Sequence, residues 1–147
     1  MALANDAVAT SDGAVVLFSH LGGGAQAGIW RMNSDGTDAK PFIIEKKSVW
    51  NPEISRDAKW VVYYSNVGGT MKAPAQGGTG VSLDPDGAYG TISCDSRWIA
   101  FEHQDQKVHR ELIEIVAADG CGSPRFLPFS SGDQVPPESN MGPLPIR

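Results

Sequence analysis

A chain of 147 residues, 41% hydrophobic and 20% charged, can bury one ordinary core and is not composed like a disordered segment. Its formal net charge of −5, with no dense Lys/Arg block, excludes a nucleic-acid site built on clustered cations. No apolar run approaches the roughly 20 residues needed to cross a bilayer, so no membrane span is expected.

The 17 Gly and 10 Pro favour short strands and tight turns over long helices. Met1 to Asp6 lacks a basic n-region and an apolar h-region, so no signal peptide is visible. Cys94 and Cys121 do not have metal-ligand spacing. They read as two free thiols in turns, with a disulfide left open.

Taken in order, the chain repeats itself. Ala9–Ser19 reads as a polar turn holding Asp12, then the apolar run Val15-Val-Leu-Phe-Ser. Ile54–Tyr64 repeats this around Asp57 with Trp60-Val-Val-Tyr-Tyr, and Ile92–Glu102 repeats it around Asp95 with Trp98-Ile-Ala-Phe-Glu. The three aspartates are spaced 45 and 38 residues apart. Three residues after each comes Val15, Trp60 or Trp98, and six after each comes Phe18, Tyr63 or Phe101. Aromatic and aliphatic residues at matched places hold a packed strand in register.

A second element follows each of these. Ile29–Gly36 leads to Phe42, Thr70–Gly77 to Leu83, and Ile113–Gly120 to Phe126. Gly36, Gly77 and Gly120 align, and an Asp-Gly between apolar stretches is a hairpin signal because its central residues need positive φ. Each repeat therefore holds four short strands, one on either side of the Asp turn and one on either side of the Gly turn. A period of ~40–45 residues with four strands per unit marks a propeller blade. The expected class is all-β, a partial β-propeller of about three four-stranded antiparallel blades. The repeats fill residues 1–131, with blades at about 7–44, 50–85 and 88–129. Residues 132–147 form a Pro-rich tail or the start of a truncated next blade.

The connections from second to third strand run from His20 to Gly28, from Asn66 to Gly69 and from His103 to Arg110. The last reads as a long polar loop. All three fall on the rim opposite the Asp and Gly turns, where variable loops build binding surfaces.

Ile29-Trp-Arg-Met-Asn-Ser-Asp-Gly-Thr followed by Trp50-Asn-Pro-Glu-Ile-Ser-Arg-Asp-Ala-Lys-Trp-Val-Val-Tyr-Tyr-Ser-Asn resembles the TolB-type, WD40-like (PD40) propeller repeat of bacterial proteins. The resemblance runs from about Ala7 to Phe129. The family's Ser-Pro-Asp-Gly turn has lost its Pro, replaced by Ser11, Arg56 and Cys94, and keeps its Gly only at Gly13, with Ala58 and Ser96 elsewhere. In the middle repeat the second turn is Gln76-Gly77.

The resemblance implies a scaffold module that binds proteins or senses a ligand, within a larger bacterial protein of TolB-like or kinase-linked type. A TolB-like setting would be periplasmic. The alternative it allows is an accessory propeller of a prolyl-oligopeptidase-type peptidase. Propellers close with ~4–8 blades. Three blades leave faces exposed, so the expected partners are a protein, further blades or a second copy by self-association.

Chemistry is sparse. The three histidines, His20, His103 and His109, accompany no Gly-x-Ser-x-Gly elbow, and His103 and His109 read as solvated loop residues. Gly22-Gly23-Gly24 lacks the Lys of a phosphate loop, and kinase motifs are absent. Asp84-Pro85-Asp86-Gly87 and Asn33-Ser34-Asp35-Gly36 lack the later Glu of a calcium loop and read as turns. Trp60 and Trp98 read as core fillers rather than a sugar platform. Trp50, beside Asn51-Pro52, has no assignment. The expectation is therefore no catalytic residue, no cofactor-binding residue, no metal ligand, and a binding surface whose residues are not specified.

Overall fold

Asp12, Asp57 and Asp95 each pin a turn in the same way. Thr10, Ser55 and Ser93 donate their hydroxyls to the respective carboxylates at 2.6, 2.7 and 2.6 Å. The backbone N–H groups of Ala14, Lys59 and Arg97 donate to the same oxygens at 3.0, 3.2 and 3.0 Å. These are the short-range side chain to backbone bonds that make Asp and Ser turn formers.

The computed structural model describes residues 4–22, 26–107 and 110–128. Each pinned turn joins the first two strands of a sheet. The first sheet holds β1 (Ala4–Ala9), β2 (Val15–His20), β3 (Gly28–Asn33) and β4 (Lys40–Ile43). The second holds β5 (Val49–Ile54), β6 (Trp60–Ser65), β7 (Gly69–Pro74) and β8 (Val81–Asp84). The third holds β9 (Gly87–Ile92), β10 (Trp98–Asp105), β11 (Arg110–Ala117) and β12 (Arg125–Pro128). Strand order within each sheet follows the chain, and every pairing is antiparallel. The all-β, four-stranded-blade expectation holds. No helix occurs among the described residues, so none there is long and apolar enough to cross a membrane.

The alternation of β6 explains how the sheets stack. Successive side chains of a strand point to opposite faces. Val61 and Tyr63 enter a core cluster with Leu17, Ile29 and Ile43 of the first sheet, whereas Val62 enters another with Ile99 and Phe101 of the third. The second sheet is thus apolar on both faces, which is why Trp60–Ser65 reads as a continuous β-forming run. The matched aromatics Phe18, Tyr63 and Phe101 are all buried. The first strands adjoin, β1 against β5 and β5 against β9, as inner strands of neighbouring blades do.

Polar bonds stitch the seams. Ser11 Oγ donates to the Arg56 carbonyl at 2.9 Å, and the Asn51 N–H donates to Ser19 Oγ at 3.1 Å. Between second and third sheets, the Asp57 N–H donates to Ser96 Oγ at 3.2 Å.

One expectation is corrected. His103 does not lie in a long loop. β10 runs on to Asp105, which pairs with Arg110, and His103 pairs with Leu112 inside the ladder. The residues from Glu102 to Asp105 look like loop because their side chains are polar, yet their backbone groups are needed to extend the hairpin. His109 and the tail at 132–147 lie outside the described residues.

Candidate functional site

The inner strands share an irregularity at matched positions. Asp6, Asn51 and Tyr89 each lie six residues before their turn aspartate and have φ of 49°, 56° and 50°. A register shift accompanies each: in β1 between Asn5 and Val8, in β5 between Trp50 and Glu53, and opposite β10 between Ala100 and Glu102. A bulge of this kind bends a strand and re-aims a side chain.

In the second and third sheets the result is a row of aromatic rings. Trp50 pairs with Tyr64 across β5 and β6, and their rings lie 4.9 Å apart. The Tyr64 and Tyr89 rings follow at 6.5 Å, nearly parallel at 15°. Tyr89 is 60% exposed despite standing in an inner strand. The row lies toward the rim that carries the connections between second and third strands. Leu21 and Val67, in two of those connections, are 50% and 61% exposed. This is the rim on which the chain order places a binding surface. The unassigned Trp50 begins the row.

A cleft of about 490 Å³ opens on the opposite rim, between second and third sheets. Trp60 and Trp98 line it together with Asp57, Lys59, Asp95 and Arg97. Both tryptophans are half-buried, and Trp60 packs against the core. Trp60 rests one side on the core cluster of Val62 and Ile99, and the Lys72 ammonium stands 4.4 Å from its ring centroid. The Arg125 guanidinium stands 5.2 Å from that of Trp98. Both rings carry a cation on the face. The turn carboxylates Asp57 and Asp95 beside the cleft are held below the ordinary carboxylate range, chiefly by the hydroxyls of Ser55 and Ser93.

A third concentration of polar groups has no counterpart among the sequence expectations. His103 Nδ1 lies 2.5 Å from Asp84 Oδ2 and 3.8 Å from Glu114 Oε2. Asp84 ends β8 and Glu114 lies in β11, so the trio bridges the second and third sheets. Both carboxylates are buried. Burial, and then the hydrogen bond and charge of Asp84, push Glu114 up to about 7 against the opposing pull of His103. Burial alone would lower the His103 value, but its bond to Asp84 and the charges of Asp84, Glu114 and Asp86 together raise it. The trio is spread across 19 and 11 residues of sequence, which no local spacing signal connects.

The remaining candidates are ordinary. His20 stacks on Trp30 at 4.7 Å, and its Nδ1 accepts from the Gly22 N–H. Cys94 and Cys121 are free and exposed. Pro85 and Asp86 form the tight connection from β8 to β9, consistent with the turn reading of that segment.

Compared with solved structures, the chain has the β-propeller fold of TolB-like proteins. It is similar to TolB from Acinetobacter baumannii, with a TM-score of 0.70 at 20% identity over 88% of this chain. It is similar also to a TolB from Agrobacterium tumefaciens, with a TM-score of 0.68 at 20% identity over 87% of this chain. A chain of a nidogen/laminin complex follows, with a TM-score of 0.60 at 13% identity over 83% of this chain. This chain spans 33%, 47% and 45% of those three chains, respectively. No protein-family model matches the sequence, and no curated protein does.

Proposed function

We propose that this chain is a non-catalytic β-propeller scaffold module that binds a protein partner on the rim bearing Trp50, Tyr64 and Tyr89. The observation that carries the reading is the aromatic row itself. Tyr and Trp give large contact area and are enriched at protein interfaces, and here Tyr89 is turned outward on a bulged inner strand with Trp50 and Tyr64 half-buried beside it. Exposed Leu21 and Val67 on the same rim add apolar area of the kind that marks interaction sites. One of the similar folds comes from a complex of two proteins.

The non-catalytic part rests on the placement of the described histidines. His20 is stacked under Trp30, and His103 is bound to Asp84, so neither stands in the tryptophan cleft with a nucleophile. The setting we favour is a TolB-like or kinase-linked bacterial assembly in which further blades, or a second copy, cover the sheet faces left open. Phe18 is itself buried, and it lies on the face of β2 opposite Leu17, the face on which its equivalents Tyr63 and Phe101 fill seams between sheets.

The test compares wild type with the variants Tyr89→Ser and Val67→Ser as immobilised bait. Both residues are exposed, so melting temperatures should stay within a few degrees of wild type. A protein retained by wild type and lost from both variants supports the reading. Equal retention by all three, or loss only when Trp98→Ala is introduced on the other rim, would overturn it.

A further inference from the structure

Two buried carboxylates and one imidazole converge where the second sheet meets the third. The ligand atoms offered by Asp84, His103 and Glu114 all lie within 4.8 Å of one another. Among the described residues, neither Asp84 nor Glu114 has a Lys or Arg ion-pair partner. Lys72, the buried lysine of this seam, is committed to the Ala118 carbonyl. Buried charges of one sign are costly unless paired or bound to a metal. A single imidazolium balances one of the two carboxylates, so the other must either keep its proton, as the raised value of Glu114 allows, or face a cation.

Thr70 supplies an independent sign of a missing ligand. It is fully buried, and its Oγ1 has no hydrogen-bond partner. Buried hydroxyls are almost always bonded, so an orphan asks for an explanation. Thr70 pairs directly with Asp84 across β7 and β8, so their side chains share one face of the second sheet. Its Oγ1 stands 2.6 Å from where a Gly87 Cβ would be, and Gly87 pairs directly with His103. The orphan hydroxyl therefore looks into the same layer between sheets as the trio, from the position flanked by Asp84 and His103. Any side chain at Gly87 would fill that space.

We propose that Asp84, His103 and Glu114 bind one divalent cation of the Zn²⁺ or Mn²⁺ kind, which clasps the second sheet to the third. The donor set argues for the class. Two carboxylate oxygens and an imidazole nitrogen suit Zn²⁺ and Mn²⁺, whereas Ca²⁺ prefers an all-oxygen shell. Three protein ligands leave room for a water, which would offer a partner to the orphan Thr70 hydroxyl in the same layer. Ligand atoms about 2.0–2.2 Å from one ion lie roughly 3–4 Å apart, so the spacing here needs only small side-chain rotations. With both carboxylates ionised, the dication supplies the charge that the imidazole alone cannot. This site departs from the expectation of no metal ligand, because its members come from three strands and two sheets.

The test uses the chelator-stripped full chain. Mn²⁺ is titrated in while the electron paramagnetic resonance signal of free Mn²⁺ is followed, and Zn²⁺ is then added as competitor. Mn²⁺ reports on the carboxylate site without engaging Cys94 or Cys121. The expected result is one site per chain, competed by Zn²⁺, and weakened at least tenfold in Glu114→Gln and Asp84→Asn. In case those variants fail to fold, unaltered protein gives a second readout by NMR. Zn²⁺ should shift the imidazole resonances of His103 and leave those of His20 in place. Binding equal in wild type and both variants, or no displacement of the His103 resonances, would overturn the proposal and leave the trio a hydrogen-bonded latch.

Discussion

Lys72 of β7 donates its ammonium to the carbonyl of Ala118, 46 residues away and in the next sheet, at 2.7 Å. The same ammonium lies over the Trp60 ring, so one buried cation ties together a turn, a strand and an indole across the seam. A lysine can do this because its stem packs among apolar groups while its head finds a carbonyl.

Lys72→Met keeps most of the stem and removes the donor. The Ala118 carbonyl then loses its charged partner, and the loss should be about 1.5–3 kcal/mol by denaturant unfolding. A change below about 0.5 kcal/mol, typical of surface positions, would mean the bond contributes little.

The turn position held by Gly13 in the first repeat is held by Ala58 in the second, yet both are left-handed, with φ of 70° and 53°. A side chain costs roughly 1–2 kcal/mol in that conformation. Ala58→Gly should therefore stabilise the protein by about 0.5–1 kcal/mol, part of the relief being offset by the freer unfolded chain. Ser96 shares the geometry at φ 59°, but its hydroxyl accepts from Asp57, so the matching Ser96→Gly gains less. Paired thermal melts check the order. Destabilisation by Ala58→Gly would contradict the turn geometry.

The turn carboxylates give a pH dependence of known sign. Asp95 is held below its ordinary value of 3.8, first by the Ser93 hydroxyl and then by the Arg97 N–H. A depressed folded-state value adds stability that is present above the unfolded value and lost as pH falls through the folded one. Asp95→Asn should thus melt below wild type near neutrality, and the gap should close at acid pH. Melting curves from pH 7 down to pH 2 read this directly. A gap that stays constant with pH would assign the loss to geometry rather than charge.

Much of the architecture is legible in the order of the amino acids, for an identifiable reason. Phe18, Tyr63 and Phe101 fill equivalent buried positions, and Gly36, Gly77 and Gly120 all adopt positive φ, at 84°, 100° and 82°. Positions that pack alike or turn alike are written alike. The inner-strand bulges are not legible in this way. Asp6 and Asn51 tolerate the left-handed region, but Tyr89 is not a turn residue, and the three share no residue type. His103 reads as loop because Glu102, Gln104 and Asp105 around it are polar and mask a strand whose backbone pairing continues. Its partner Asp84 belongs to another sheet. For the tryptophans, the repeat gives the register, but alternation sets the face of a strand and not how far its end is covered, and Trp60 and Trp98 are half-buried.

The most direct test of the central claim is a set of inter-sheet nuclear Overhauser effects on the labelled chain. Three matched four-stranded sheets with adjoining inner strands should give contacts from β1 to β5 and from β5 to β9. Core contacts from Tyr63 to Leu17 and Ile29, and from Val62 to Ile99 and Phe101, should accompany them. Helical chemical shifts between Ala7 and Pro128, or sheets whose inner strands show no contact with one another, would contradict it.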